Sequence, residues 1–264
     1  IEMSWKKYYA VARNAFREGT AYRLDAVTTF LSSIIFLILY YAVWSAIDAS
    51  GNIEGGLNQV MTYLVAGQIV SNAAFLQTEM FIGERIRKGT IVNELKRPIS
   101  FISHVYFHEL GWTVFNSLTK AIPVAVLGVV FLDIQLPRAV NAVSFAVSIF
   151  LAFNLVFLLA YANSMLVFWT KVDWSLRMTR NTVQSLFSGV LFPLYLLPGG
   201  LQEIFNLLPF RAMADAPIQI FTGNATGFGL LKIFGLQIFW IIILFAVAHL
   251  MWRKASNKLT VQGG

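Results

Sequence analysis

The sequence predicts an all-α integral membrane protein that crosses the bilayer six times and forms a single transmembrane domain over residues 1–264. Apolar residues make up 57% of the chain and charged residues only 12%, whereas soluble domains are about 25% charged. Several apolar runs also approach the roughly 20 residues that a helix needs to cross the hydrocarbon core.

The spans are predicted at about residues 26–47, 59–82, 104–132, 142–168, from 182 onward, and 228–252. Pro193 and Pro198 leave the fifth span with only about 16 residues, too few for a straight crossing. Residues 198–227 are apolar but broken by glycines and prolines. Such backbone is tolerated at membrane depth only where protein or a water-filled cavity covers it, so we expect short re-entrant helices on the outer side.

Residues 1–25 favour an interfacial helix. Its aromatic and small residues recur at helical spacing, and the basic residues lie mostly elsewhere on the helical wheel. The apolar positions are Trp5, Tyr8, Tyr9, Ala12 and Phe16. We expect this helix to lie on the cytosolic leaflet; the alternative is a basic flank that only sets topology.

The distribution of positive charge predicts the orientation. Of the 20 Lys and Arg residues, 16 fall in the N-terminal segment, the second and fourth loops and the C-terminal tail. The exceptions are Lys120, Arg138, Arg211 and Lys232. Because Lys and Arg accumulate on the cytosolic side, both termini are expected in the cytosol. The net charge of +7 therefore reflects membrane topology and does not indicate a nucleic-acid partner.

The stretch from Gly83 to Ser100, here called the central region, reads GERIRKGTIVNELKRPIS and is too charged to enter a bilayer. We expect Gly89 to end one helix in the left-handed conformation, Thr90 to cap the next, and Pro98 to stop it. Lys96 and Arg97 lie near the end of that helix. Ile91, Leu95 and Ile99 would supply apolar contacts. A short helix of this kind is suited to dock onto a partner.

Sequence motifs argue against chemistry in this chain. It has no cysteine, and neither G-x-x-x-x-G-K-[ST] nor G-x-G-x-x-G occurs, so we expect no bound cofactor. His104 and His108 lie four positions apart beside Glu109, as metal ligands can, but no recognisable motif supplies a third ligand, and we predict no metal site. Ser, His and Asp are too scattered for a catalytic triad.

Lys120 is the most informative single charge. A lysine near the bilayer centre costs roughly 2.5 to 3.5 kcal/mol and must face protein or water. It is a candidate pathway residue, or else a structural partner of a carboxylate such as Glu79. The polar span residues either line a pathway or join helices to one another; they are Gln68, Asn72, Asn154, Asn163, Asn181, Gln184 and Ser188.

The order of these parts resembles the type-2 ATP-binding-cassette (ABC) exporter permeases, in their bacterial uncharacterised-permease branch. The cytosolic motif E-R-x-x-x-G-T-x-x-x-x-L-x-x-P matches Glu84, Arg85, Gly89, Thr90, Leu95 and Pro98. The outer signature matches residues 188–193, followed by Leu197-Pro198 and Leu208-Pro209. The N-terminal AYRLD, residues 21–25, also fits that branch.

The resemblance implies an exporter of the bacterial cytoplasmic membrane, assembled from two permeases, identical or sister subunits, and two ATPase subunits that bind ATP and Mg. The helix from Ile91 to Arg97 would be a coupling helix seated in the ATPase, pushing rigidly on the second and third spans. The residues implied in ATPase coupling are Glu84, Arg85, Gly89, Thr90, Ile91, Glu94, Leu95 and Pro98. Substrate would pass between the permeases, with Phe187, Phe192 and Tyr195 at an outer gate; Lys120, Asn72 and Gln184 are further pathway candidates.

Two other classes compete with this reading. A secondary transporter or channel normally places paired charges at mid-membrane and often has inverted repeats, and here only Lys120 is plainly deep. A membrane-embedded enzyme would need convergent His, Asp or Glu side chains near one leaflet. The substrate stays open among apolar drugs, lipids, peptides and polysaccharide lipid carriers.

Overall fold

The structure, a computed structural model, describes residues 5–21, 23–49, 51, 56–74 and 76–259. Within these ranges the regular secondary structure is helical. Four of the described helices are long and apolar enough to cross a membrane: Val27–Asp48, Phe101–Leu132, Ala139–Thr170 and Phe228–Lys258. The predicted all-α membrane class is therefore confirmed.

In chain order the helices are α1 (Trp5–Ala21), α2 (Arg23–Asp48), α3 (Gly56–Ala73), α4 (Thr78–Arg87), α5 (Ile91–Leu95), α6 (Phe101–Asn116), α7 (Ile122–Leu132), α8 (Ala139–Met165), α9 (Val167–Thr170), α10 (Trp174–Phe187), α11 (Gly199–Leu207), α12 (Pro209–Met213), α13 (Asp215–Phe221) and α14 (Phe228–Leu259). A π-helical turn, Ser117–Ala121, joins α6 to α7, and a 3-10 turn, Leu194–Leu196, precedes α11.

The N-terminal helix α1 packs against α6. The two backbones meet where a Cβ at Gly111 would lie 2.0 Å from the carbonyl oxygen of Ala12, so only glycine allows this approach. Ala15 is buried in the same contact region of α1, whereas Trp5 and Tyr9 are exposed. The predicted apolar face is thus divided between packing on α6 and exposure. Residues 1–4 and Tyr22 lie outside the described part.

The second predicted span, residues 59–82, is not one helix. The helix α3 ends at Ala73, and Leu76 and Gln77 are non-helical before α4 begins at Thr78. The prediction of a continuous span was wrong because an apolar run alone does not reveal where the backbone bends. The eighteen-residue α3 is about 27 Å long.

The third predicted span starts three residues earlier than expected, at Phe101, because the Ser100 hydroxyl accepts a hydrogen bond from the backbone N–H of Ser103 at 3.3 Å. Its middle contains the π-helical turn, which carries Lys120. Such turns insert an extra residue into a helix and occur frequently at functional sites. Asp133 ends α7 in the left-handed conformation, with φ of 46°.

The segment from Trp169 to Asn181, predicted as a loop, is largely helical. Asp173 accepts a hydrogen bond from the backbone N–H of Trp174 at 3.0 Å, and α10 begins there. The helix ends at Phe187, before the prolines that were expected to interrupt it, and Gly189 follows with φ of 86°. The helix α10, which corresponds to the predicted fifth span, therefore starts about two turns earlier in the chain than predicted.

The segment that glycines and prolines were predicted to break forms a series of short helices, α11 to α13, and its position on the outer side stays a prediction. The long helix α14 extends seven residues beyond the predicted end at Trp252 and packs along α8. Gln237 joins these elements because its amide donates to the carbonyls of Ser148 and Ala212 at 3.1 and 3.0 Å. The apolar core has two parts, one built mainly on α8 and one mainly on α3.

Candidate functional site

The central region folds as a turn, a five-residue helix and a second turn. Gly89 has φ of 68°, so the predicted left-handed end of the preceding helix is confirmed. Thr90 does not cap α5 with its side chain, contrary to the prediction; its backbone carbonyl accepts the N–H of Asn93 at 3.0 Å. The helix is also shorter than expected because it ends at Leu95, before Lys96 and Arg97.

A buried carboxylate holds this region together. Glu94 is 7% exposed and lies between Arg85 of α4, Arg97 and His104 of α6, which with it form the Glu94 cluster. Arg85 Nε donates to Glu94 Oε1 at 3.3 Å, Arg97 Nε lies 2.9 Å from Oε2, and His104 Nδ1 lies 3.2 Å from Oε2. The cluster therefore fixes α5 to both neighbouring helices.

Two residues predicted to face a partner are instead inside the protein. Ile91 is 2% exposed and packs in the core, and Glu94 has the internal role just described. Val92 and Leu95, at 48% and 40% exposure, are the large apolar side chains that α5 presents outward. The orientation of so short a helix depends on which of its side chains the neighbouring helices cover, and those contacts cannot be predicted from the local sequence.

The remaining coupling candidates lie at the surface. Gly89, Thr90 and Pro98 are exposed, and Arg85 is partly covered. Glu84 is exposed and accepts a hydrogen bond from Lys88 Nζ at 2.6 Å. This bond, with the lysine charge, lowers the pKa of Glu84 from its ordinary value. The exposed side of the central region therefore combines two apolar side chains with ionised groups of both signs.

A second buried carboxylate joins α4 to α10. Glu79 is fully buried, and Arg180 donates to both of its oxygens, at 2.5 Å from Nε and 3.2 Å from Nη2. Asn163 of α8 donates to Glu79 at 3.0 Å, and Arg180 Nη2 also donates to the carbonyl of Leu76 at 3.3 Å. Glu79 therefore forms an ion pair with Arg180, and the hypothesis that Lys120 pairs with a carboxylate stays a prediction.

The same two helices meet again at the other end of α4. Arg87 Nη1 lies 2.5 Å from Asp173 Oδ1, at the start of α10. Between the two ion pairs, Gly83 packs against Asp173 so closely that a Cβ there would lie 2.5 Å from the aspartate Cβ. The sequence analysis missed Arg180 and Asp173 because it assigned both to a loop; an aspartate directly before a helical pattern was the available signal.

The outer signature surrounds a third buried carboxylate, also missed from sequence. Asp215 is 1% exposed and accepts hydrogen bonds from Tyr63 at 2.9 Å, Gln219 at 3.0 Å and Arg211 Nε at 2.9 Å. Its backbone N–H donates to the carbonyl of Ser188 at 3.0 Å, next to the break after α10. An acidic residue inside an apolar, proline-flanked stretch was the signal that could have revealed it.

The predicted pathway residues do not form one cluster. Lys120 is buried in the π-helical turn, and Asn72 is buried with its amide donating to the carbonyl of Gln68 in the same helix at 2.9 Å. Gln184 accepts a hydrogen bond from Arg180 Nη1 at 3.1 Å.

The predicted gate residues are half-buried near the end of α10. Phe187 packs against Phe205 and Phe210, with ring centroids 5.1 and 5.9 Å away. Tyr195 makes an edge contact with Tyr63 at 6.0 Å between centroids. Phe192 follows in the irregular segment between α10 and the 3-10 turn.

An open cavity of about 600 Å³ lies beside α4, between α1, α6 and the start of α10. Its charged side chains are mostly paired with one another: Arg87 with Asp173, Lys88 with Glu84, and His108 with Glu18 at 3.4 Å. Among the described residues, no group of three His, Asp or Glu side chains is placed to hold a metal ion.

Four long apolar helices, packed with short helices and buried ion pairs, are the features of a multi-pass membrane protein. The family model for ABC-2 family transporter proteins matches residues 27–263, and the chain belongs to this family. It is accordingly a permease component of an ABC transporter, a transport subunit and not a catalytic one. A comparison with curated proteins gives no significant match.

Proposed function

We propose that this chain is the permease subunit of an ATP-driven exporter in the bacterial cytoplasmic membrane. Two permeases, identical or sister subunits, would form the substrate pathway, and two cytosolic ATPase subunits would bind ATP and Mg. Membership of the ABC-2 family supports the transporter context. The features of the central region support the coupling to ATP.

One observation carries the proposal: α5 exposes Val92 and Leu95 while its opposite side is fixed by the buried Ile91 and by the Glu94 cluster. Exposed apolar side chains on a charged loop mark an interaction site when they are held in place. Because Glu94 of α5 forms an ion pair with Arg85 of α4 and lies 3.2 Å from His104 of α6, force applied to α5 would reach both helices. A groove of the ATPase that accepts Val92 and Leu95 would provide that force.

The proposal includes six crossings with both termini in the cytosol. Besides the four long apolar helices, α3 at about 27 Å is close to the thickness of the hydrocarbon core, and α10 at about 21 Å would cross only partly. The short helices α11 to α13 would complete the fifth crossing on the outer side. The bias of Lys and Arg toward the proposed inner loops supports this orientation.

The outer end of the pathway is proposed near the end of α10. There Phe187, Phe192 and Tyr195 lie next to the irregular backbone that follows Ser188, where aromatic side chains can close a passage between two permeases. Gln184 would line the same passage from one turn below. Lys120, buried in the π-helical turn, and Asn72, buried near the end of α3, are proposed to act on the inner part of the pathway.

The test is a Leu95→Glu substitution in the tagged permease expressed in its own cell. The wild type should co-purify with a protein that has a Walker A motif and hydrolyses ATP in its presence. Loss of a central apolar anchor costs about 2 kcal/mol, so binding of the ATPase should weaken roughly 30-fold. Transport should fall with it.

The matched control is Leu207→Glu, since Leu207 is 76% exposed on α11, on the proposed opposite side of the membrane. It should leave ATPase binding unchanged. If no such ATPase accompanies the wild type, or if the Leu95 variant binds and transports normally, the proposed coupling role is wrong.

A further inference from the structure

We propose that α4 and α10 move as one rigid unit. A displacement of the central region would then move α10 together with α4, and would not be transmitted mainly to α3 in the predicted second span. The unit is held by two ion pairs, Glu79 with Arg180 and Arg87 with Asp173, here called the α4–α10 clamp. This inference rests on the proposed coupling function and identifies four positioning residues for it.

The pairs lie at opposite ends of an antiparallel contact. Along the helix axes, positions 79 and 87 of α4 are about 12 Å apart, and positions 173 and 180 at the start and in the middle of α10 are about 10 Å apart. Two attachment points two turns apart resist both sliding and rotation of one helix against the other. A single ion pair would allow rotation.

The contact between the two ion pairs is close. Gly83 lies one turn from each end of the clamp and leaves no room for a side chain against Asp173. The ion pair between Glu79 and Arg180 is also shielded from solvent, because both side chains are less than 10% exposed. Removing one partner of such a pair leaves a buried charge without compensation, so separation of the helices is strongly opposed.

The connection between α4 and α3 is weaker in comparison. Leu76 and Gln77 interrupt the helical hydrogen-bond pattern, so α4 is not a rigid extension of α3. The carbonyl of Leu76 instead accepts a hydrogen bond from Arg180, which belongs to α10. The bend at Leu76 and Gln77 would therefore move together with α4 and α10, and it would allow the angle between α3 and α4 to change.

The far end of α10 leads to the proposed gate. Gln184 accepts a hydrogen bond from Arg180, and Phe187 ends the helix in contact with Phe205 and Phe210. A displacement of α4 would thus reach the break after Ser188 through a single helix. The sequence resemblance implied that the coupling helix pushes on the second and third spans. The clamp adds α10 as a helix that would be displaced directly.

Spin-label distances test the clamp, and the absence of cysteine from the chain makes specific labelling direct. One labelled pair, Met80→Cys with Met178→Cys, reports α4 against α10; a second, Ser71→Cys with Met178→Cys, reports α3 against α10. In the assembled transporter, the first distance should stay constant between the nucleotide-free and ATP-bound states, and the second should change. A change in the first distance as large as in the second would overturn the proposal.

Variants at the exposed end separate coupling from folding. Asp173→Asn keeps a side-chain oxygen to cap α10 but removes the charge, and Arg87→Gln removes the partner. In the assembled transporter, each should broaden the Met80–Met178 distance distribution while the ATPase stays bound, whereas Arg87→Lys should keep it narrow. Arg138→Gln, at an exposed arginine of the loop before α8, is the control and should change nothing.

The permease alone distinguishes failure of the clamp from failure of the proposed function. Without any ATPase, the Met80–Met178 distance should have one narrow distribution that broadens in the Asp173→Asn variant. A broad distribution in the otherwise unmodified protein contradicts the clamp. A narrow one, in a protein that binds no ATPase, contradicts only the coupling function.

Discussion

At the scale of the residue, the buried charged side chains lie where the backbone is broken. Arg180 bonds the carbonyl of Leu76 at the bend between α3 and α4, and the backbone N–H of Asp215 bonds the carbonyl of Ser188 beyond α10. Hydrocarbon offers backbone groups no hydrogen-bond partners, so a broken helix must find them in the protein. At these two breaks a buried guanidinium and a backbone N–H supply the partners that hydrocarbon lacks.

Removing one hydrogen bond from Asp215 tests this role. The Tyr63→Phe variant should unfold in detergent with a free energy lower by about 1 kcal/mol, because one carboxylate oxygen loses a donor while Arg211 and Gln219 remain bound. Chemical unfolding followed by circular dichroism measures the difference. The exposed Tyr41→Phe provides the comparison and should be neutral, and an equal loss in both variants would contradict the assignment.

The central region shows at the same scale how burial and function separate. Glu94 and Ile91 face inward and fix α5, whereas Val92 and Leu95 face outward and remain free to bind. The five-residue helix is too short to be stable by itself. The ion pair of Glu94 with Arg85 of α4, its contact with His104 of α6 and the burial of Ile91 supply the missing stability.

At the scale of the element, close backbone contact positions α1. Glycine at position 111 lets the carbonyl of Ala12 approach α6, and Gly19 accepts the ring of Phe115 in the same way. Aromatic contacts of Tyr8 with Phe107 and of Phe16 with Phe115 complete the contact, with centroids 4.7 and 5.8 Å apart. The N-terminal helix is therefore part of the packed structure, in addition to any role at the membrane surface.

The Gly111→Ala substitution should separate α1 from α6. The added methyl group would overlap the Ala12 carbonyl, and overpacking of this kind costs about 1 to 3 kcal/mol. Limited proteolysis should then cut within α1 faster than in the wild type. Gly235→Ala is the matched control, since nothing lies within 4 Å of a Cβ at that helical position.

The control has an expected sign of its own. Alanine is favoured over glycine inside a helix by about 0.5 to 1 kcal/mol, so Gly235→Ala should be neutral or stabilising. Unchanged cleavage of α1 in the Gly111 variant would mean that the helix is held by its aromatic contacts and not by the backbone approach.

At the scale of the whole molecule, the two parts of the core lie beside the two regions proposed to act in transport. The part built on α8 includes Ile86, Ile91 and Phe101 around the central region, and the part built on α3 includes Tyr63 and Ile218 near the short helices α11 to α13. The α4–α10 clamp runs from the first part toward the second. The proposed transport cycle needs such a link, because the ATPase and the gate would lie on opposite sides of the membrane.

The proposed topology is tested by labelling two exposed asparagines from outside the cell. In intact cells, a membrane-impermeant maleimide should react with the Asn224→Cys variant, in the segment before α14, and not with Asn93→Cys, in the central region. After permeabilisation both should react. Labelling of Asn93→Cys in intact cells would reverse the orientation and remove the basis for coupling to a cytosolic ATPase.

Much of this molecule follows from local patterns. The long apolar runs predicted the membrane class and the approximate position of the four long helices, because hydrophobicity accumulates along contiguous residues. Gly89 predicted its own left-handed turn, because only glycine adopts that conformation at no steric cost. The motif of the central region together with the broken outer segment indicated the family that the whole-chain comparison confirms.

The tertiary structure decided which residues are joined. The bend before Thr78, the early start of α10, the inward orientation of Glu94 and the pairs Glu79–Arg180 and Tyr63–Asp215 were not predicted. The start of α10 is marked locally by Asp173, but the others depend on partners 9 to 152 positions away, and a local pattern of hydrophobicity contains no information about such partners. The amino-acid order thus determined a helical membrane protein with a charged loop between apolar helices, and only the folded contacts determined which helices are joined.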